Sequence, residues 1–364
     1  MSARIQAWAP LAMPVIAVIA LAVTYHRHLS TAAAVVVGLI IIGAVLAAVH
    51  HAEVVAHRVG EPLGSIVLAV AVTIIEVGLI ITLMVGGDGH DTETLARDTA
   101  FAAVMITCNG IVGLSLVLGS LRHGLPRFNS QGTGAALAVV ATLAGLTLVL
   151  PTFTVGASGG RFTGAQLGFI AVVALALYVA FIATQTGRQR DFFLPVSKSG
   201  KTIQPDEHAV PPTNRQTVLS LVLLAVSLLS VVVLGHAVSP TIEEGLVSAG
   251  IPTTFVGVVI AFIVLLPEGI AASRAALNNR LQTSLNLGYG SSIASIGLTI
   301  PAIAVASIWI EGPLVLGLGA VQIVLLVLTL IVSSLTVLPG RSLRLQGLIH
   351  LIILAAFVFL AIAP

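Results

Sequence analysis

Apolar blocks of about twenty residues alternate with short polar links along the whole chain, and a helix needs about 20 apolar residues to cross a bilayer. Such blocks fall at roughly 8–24, 30–49, 62–86, 98–121, 131–153, 163–186, 216–238, 246–272, 283–307, 313–338 and 345–363. A membrane β-barrel would show polar and apolar residues alternating in segments of about ten. Backbone inside a bilayer must satisfy its own hydrogen bonds, so unbroken apolar blocks read as helices. The pattern predicts an all-α polytopic membrane protein of about 11 transmembrane helices. The blocks at 62–86 and 246–272 are long and carry Gly and Pro, which predicts tilt, kinks or breaks there.

One link differs in kind. Residues 187–214 mix charges, prolines and polar residues, and divide the chain into six spans before and five after. The two parts share a pattern across this link. Glu53 is followed seven residues later by Gly60-Glu61-Pro62, and the next span carries Glu76. Glu243 is followed seven residues later by Gly250-Ile251-Pro252, and the next span carries Glu268. The span after each glutamate holds small polar residues, Thr107-Cys108-Asn109-Gly110 in one part and Gly290-Ser291-Ser292 in the other. The two glutamate spans are third and eighth, so they enter the membrane from opposite faces. That is the signature of an inverted-topology repeat, which in transporters puts the substrate site near the middle of the membrane.

Composition sharpens the class. The chain of 364 residues is 57% hydrophobic and 8% charged, against roughly 25% charged residues in a soluble domain. Its 16 Lys and Arg residues are confined to the links. With the N-terminus placed in the cytoplasm, 13 of them (Arg4, Arg58, Arg122, Arg127, Arg188, Arg190, Lys198, Lys201, Arg215, Arg274, Arg280, Arg341 and Arg344) fall on the inner side, and Arg27, Arg97 and Arg161 on the outer. The positive-inside rule therefore predicts a cytoplasmic N-terminus and, after an odd number of spans, a periplasmic C-terminus. The outer links carry acids instead: Asp88, Asp91, Glu93, Glu243, Glu244 and Glu311. A single cysteine, Cys108, excludes an internal disulfide and a cysteine-built metal site. Pro10 and Pro14 interrupt the first block, which reads as a retained helix rather than a cleaved signal peptide.

An acid inside an apolar span is costly to bury and points to function. Two carboxylates in a low-dielectric core are neutralised by two protons, by one divalent cation, or by one monovalent cation and a proton. Such a pair releases protons when it takes a cation, which is exchange in thermodynamic terms. Glu76 and Glu268 are the expected cation- and proton-binding acids, with Thr73, Asn109, Ser291 and Ser292 completing an oxygen shell. Thr73 lies three residues before Glu76 on the same helical face. Pro267 lacks a backbone donor and leaves a carbonyl free to face an ion. An all-oxygen set suits a hard cation such as Ca²⁺ or Na⁺.

The runs VTIIE at Val72–Glu76, LPEG at Leu266–Gly269 and LNLGYGSSIASIGLTIP at Leu285–Pro301 resemble the Ca²⁺:cation antiporter superfamily, nearest its ChaA-type Na⁺(K⁺)/Ca²⁺–H⁺ antiporters. The resemblance runs from about His50 to the C-terminus. It implies two inverted five-helix repeats behind an extra N-terminal helix. The expected division is 1–29 for that helix, 30–186 for the first repeat, 187–214 for a cytoplasmic linker and 215–364 for the second repeat. The family's central acids fall on Glu76 and Glu268. Its gate acids at the start of each repeat fall on Glu53 and on Glu243 or Glu244. Vacuolar-type members carry Gly-Asn where this chain has Val72-Thr73 and Val264-Leu265, so the ion stays open among Ca²⁺, Na⁺ and K⁺.

The resulting expectation is a secondary antiporter of a bacterial inner membrane that moves cations against protons by alternating access. Its partners are inorganic cations, protons and lipid, with no cofactor and no nucleic acid, and a homo-oligomer stays open. A passive channel using the same acids would pass cations without proton counterflow. An intramembrane acid/base enzyme would need a further activated group, and the sequence offers no intramembrane Asp pair, Ser-His set or His-rich motif. His50 and His51 read as solvated interfacial residues, and Glu53 with His57 lies on one helical face at the inner mouth.

Overall fold

The computed structural model describes residues 3–24, 29–60, 63–86, 92–196, 212–310 and 312–364. Arg27, Glu61, Pro62, Asp88, Asp91, Lys198, Lys201 and Glu311, with most of the 187–214 link, lie outside the described residues. The helices are α1 (Ala3–Thr24), α2 (Thr31–Val59), α3 (Leu63–Gly86), α4 (Leu95–His123), α5 (Ser130–Phe153) and α6 (Gly164–Thr186), followed by α7 (Asn214–Ser248), α8 (Phe255–Leu277), α9 (Leu281–Ala306), α10 (Ala320–Val337) and α11 (Arg344–Ile362). Among the described residues, 10 of these are long and apolar enough to cross a membrane, and α1 adds the shorter apolar stretch Trp8–Thr24.

Side chains at the ends explain where the helices start and stop. Ser30, Asn129, Thr163 and Thr213 accept from free N–H groups at the starts of α2, α5, α6 and α7. Gly60, at φ 78°, ends α2, and Asn279, at φ 60°, follows the end of α8 in the left-handed region that closes helices. The same device corrects the span limits read from the sequence. Gly250 at φ 70° and Pro252 break the chain between Ser248 and Phe255, so residues 249–254 belong to no span, and 246–248 end α7 rather than begin α8. Glu243 and Glu244, expected in an outer link, instead lie inside the last turns of α7. Gly290-Ser291-Ser292 lies in continuous helix within α9. Glu53 is likewise helical, near the end of α2.

The chain forms two compact units, and each draws on both sides of the central link. The first comprises Met1–Leu95 and Ala209–Pro267. In it α2 packs along α7, with α1 and α3 also against this pair. The α2–α7 pair is antiparallel, because His51 bonds Ser220 near one end while the Thr241 hydroxyl donates to Leu29 O near the other. Ala44, Val45, Ala48 and Ala52 of α2 form a small-residue stripe that meets Leu224, Val231 and Leu234 of α7 and Ile75 and Leu79 of α3. His51, read from the sequence as solvated, is buried. Its Nε2–H donates to Pro10 O (3.0 Å) and its Nδ1 accepts from Ser220 (3.2 Å), so it ties α1, α2 and α7 together.

The second unit comprises Ala96–His208 and Glu268–Pro364. Its packing repeats: α4 lies against α11 as α9 lies against α6, and α4 and α9 pack on each other. Glycine permits both close contacts. Gly113 and Gly347 bring α4 and α11 together, where an added Cβ on Gly347 would stand 2.7 Å from Gly113 O. Gly297 of α9 sits against Tyr178 and Ala174 of α6. The connecting loops pair in the same way. The 124–129 loop bonds the 340–342 loop (Phe128 N–H to Gly340 O, Ser342 N–H to Pro126 O), and Leu316 and Gly317 donate to Gly160 O.

Candidate functional site

Because Glu76 and Glu268 fall in different units, their surroundings are described one at a time. Glu76 stands on α3, 2% exposed, on a stripe with Thr73 and Ile80 that is likewise buried. The Thr73 hydroxyl donates to Ala69 O at 2.8 Å. This occupies its proton and leaves oxygen lone pairs available, so the hydroxyl can still act as a ligand.

Glu268 follows Pro267 inside the continuous helix α8. Proline at this position cannot donate to the carbonyl one turn earlier, which frees a backbone oxygen in mid-helix. Next to it, Gly269 faces Ile111 of α4. Ser284 of α9 fixes this end of α8 by donating to Ala272 O at 2.8 Å.

Ile111 closes a π-helical turn, Ile106–Ile111, in the middle of α4. An inserted residue of this kind shifts the backbone bonding pattern and recurs at functional sites. Here it falls on the small polar run Thr107-Cys108-Asn109-Gly110, and each of its neighbours supplies a partner. Gly288 of α9 comes close enough that a Cβ there would lie 3.6 Å from Thr107 O. Ser292, fully buried, contacts Cys108, while Ser291, one residue earlier, is half-buried. Asn109 is held by α10 and α11: its Nδ2 donates to Thr329 Oγ1 (2.9 Å) and its Oδ1 accepts from His350 Nδ1 (3.0 Å). His350 Nε2 in turn accepts from Thr336 (3.2 Å).

Of the residues singled out in the sequence, the second unit thus gathers Asn109, Ser292 and the α8 turn carrying Glu268 around the π turn of α4. Glu76 and Thr73 lie together in the first unit. The gate acids differ from one another. Glu53 is exposed, Glu243 is half-buried and accepts from Ser239 at 2.7 Å, and Glu244 is exposed.

The residues that escaped the sequence pattern are His350, Thr329 and Thr336. Their one signal is a polar side chain inside an apolar span, and it gains meaning only when the fold sets them against Asn109. Arg97 and Asp98 also escaped notice. They form an ion pair at 2.8 Å between the half-buried Arg97 and the buried Asp98, joined by Gln322 and by Gly317 O, where α4 and α10 begin.

The sodium/calcium exchanger protein family model matches residues 29–187 and 219–363, nearly all of the chain outside its N-terminal helix and central link. The chain belongs to the sodium/calcium exchanger family. Within this family, the sodium-potassium/proton antiporter ChaA of Escherichia coli is 32% identical over 317 residues, which cover 87% of this chain and 85% of that protein. The y4hA protein of Sinorhizobium fredii is 45% identical over 326 residues, which cover 88% of this chain and 86% of its own length. Two solved structures share the fold. YfkE aligns with a TM-score of 0.73 at 17% identity, covering 98% of this chain and 99% of that one. The H⁺/Ca²⁺ exchanger CAX aligns with a TM-score of 0.70 at 16% identity, covering 98% and 92%. The exchanger-family protein is therefore a multi-span cation transporter and not an enzyme, and its sequence-based fold class holds.

Proposed function

We propose that the chain exchanges Ca²⁺, Na⁺ or K⁺ for protons by alternating access. The observation that carries this reading is the pair Glu76 and Glu268, one in each half, in spans whose centres otherwise lack glutamate. A carboxylate in such surroundings is stable when protonated or when holding a cation, and unstable bare. Loading a cation therefore releases a proton, and the reverse step returns it. Thr73, Asn109, Ser291 and Ser292 supply neutral oxygens to the cation, and Glu53 with Glu243 or Glu244 act as gate acids. ChaA, whose name specifies sodium-potassium/proton antiport, lends support as a relative.

The two-repeat division at residues 30–186 and 215–364 belongs to the same proposal. Its support is the matched packing of α4 on α11 and α9 on α6. The proposed location is the bacterial inner membrane with the N-terminus in the cytoplasm, and the 13-to-3 distribution of basic residues supports that orientation.

The test is proton movement in membrane vesicles on separate addition of Na⁺, K⁺ and Ca²⁺. At least one cation is expected to drive proton movement in the wild type, and Glu268→Gln is expected to abolish it. Cation flux without proton movement would establish a channel. Full exchange by Glu268→Gln would remove the assigned site.

A further inference from the structure

The bonds at Asn109 form one directed chain through the second unit. The Thr336 hydroxyl donates to His350 Nε2 (3.2 Å), His350 Nδ1–H donates to Asn109 Oδ1 (3.0 Å), Asn109 Nδ2–H donates to Thr329 Oγ1 (2.9 Å), and the Thr329 hydroxyl points to the Met105 sulfur (3.6 Å). The direction follows from the placement of the Asn109 amide, whose nitrogen faces Thr329 and whose oxygen faces His350. Because the Asn109 oxygen accepts, the proton of a neutral His350 ring sits on Nδ1, and Nε2 then accepts from Thr336. All of Asn109, Thr329 and His350 are 0% exposed, so no water competes for these positions. The chain begins on α10, passes through α11 to the π turn of α4, returns to α10 at Thr329 and ends on α4 at Met105.

We propose that His350 is a positioning residue that sets which end of the Asn109 amide is presented at the π turn. An asparagine amide turned over by half a rotation exchanges its oxygen for an NH₂ group, and an NH₂ group repels a cation where an oxygen would bind it. The Nδ1 proton of His350 pins the oxygen, and Thr329 pins the nitrogen. The remaining lone pair of Oδ1 is then available as a ligand without any rearrangement when a cation arrives. This rests on the reading of Asn109 as a cation ligand given above. It adds that α11, which carries none of the proposed ligands, controls affinity.

Side-chain shape supplies the test. The amide nitrogen of an asparagine at 350 falls where Nδ1 is now, and that of a glutamine falls where Nε2 is now. His350→Asn therefore retains the bond to Asn109 and gives up the one to Thr336, and His350→Gln does the reverse. Apparent cation affinity is read from the thermal stabilisation of purified protein in detergent by Na⁺, K⁺ and Ca²⁺ in turn, and maximal exchange rate from vesicles. His350→Asn is expected to keep the wild-type constant within about twofold. His350→Gln is expected to weaken it about tenfold, the equivalent of one hydrogen bond, while the maximal rate is kept.

Thr329→Val, a near-isosteric change that frees the other end of the amide, is expected to weaken affinity in the same direction and keeps the test open if the glutamine variant does not fold. Equal constants for the two His350 variants, or a constant unmoved in Thr329→Val, overturns the proposal. A wild type that responds to a cation while these variants break the expected order removes this proposal alone. A wild type that neither binds nor exchanges any of the three cations removes the exchange reading and this one with it.

Discussion

At the scale of single residues, the proposed exchange rests on groups that can change charge within an apolar span. Glutamine has the shape of a protonated glutamate but cannot lose its proton. Glu76→Gln is therefore expected to leave the fold intact and to abolish cation-driven proton release, measured with a pH-sensitive dye in vesicles. The exposed Glu53 has no such burial. Glu53→Gln is expected to change the rate at low cation concentration, by severalfold at most, and to leave the maximal rate unchanged. Glu76, Glu268 and their hydroxyl neighbours were legible in the sequence, because an acid in an apolar block is conspicuous wherever it packs. His350 was not. A lone histidine in an apolar run gains a meaning only from its partner, and Asn109 is 241 residues away in the chain.

At the scale of helices, close approach is set by glycine. A Cβ on Gly347 would meet Gly113 O at 2.7 Å and the Val117 nitrogen at 2.8 Å, and backbone cannot yield as a side-chain tip can. Gly347→Ala is expected to force α4 and α11 apart and to destabilise the protein by about 1–3 kcal/mol, the usual cost of overpacking. Gly168 of α6 has open space around its Cβ position. Gly168→Ala is expected to be neutral or stabilising by up to about 1 kcal/mol through helix propensity. Thermal unfolding of the two variants in one detergent checks both. Helix existence was plain from the apolar blocks, and the ends were less so. Glu243 and Glu244 resemble link residues by charge, yet α7 runs past them, because the break comes only where Gly250 takes a positive φ. The π turns at Ile106–Ile111 and Gly145–Val149 leave no mark in hydrophobic periodicity.

At the scale of the whole molecule, the proposed orientation rests on where the basic residues lie. Cysteines placed at Ser158 and at Arg188, in a Cys108→Ser background, are expected to differ in accessibility. In intact cells with a permeable outer membrane, an impermeant thiol reagent is expected to label position 158 and not 188. Labelling of 188 alone would invert the assigned topology.

The sequence by itself determined the membrane class, the long apolar helices, the acids that stand inside them and their recurrence across the central link. Those features are local in the chain, because hydrophobic length and intramembrane charge are priced by the bilayer whatever the helices pack against. Only the tertiary structure decided which helices share a unit. It joined α2 to α7 and α4 to α9 and α11 across the link, through glycine contacts and buried hydrogen bonds whose two halves are far apart in sequence. It also decided that the polar run of α4 is a π turn held by α10 and α11. Apolar helices look alike to a neighbour until their small residues and polar atoms are aligned in space.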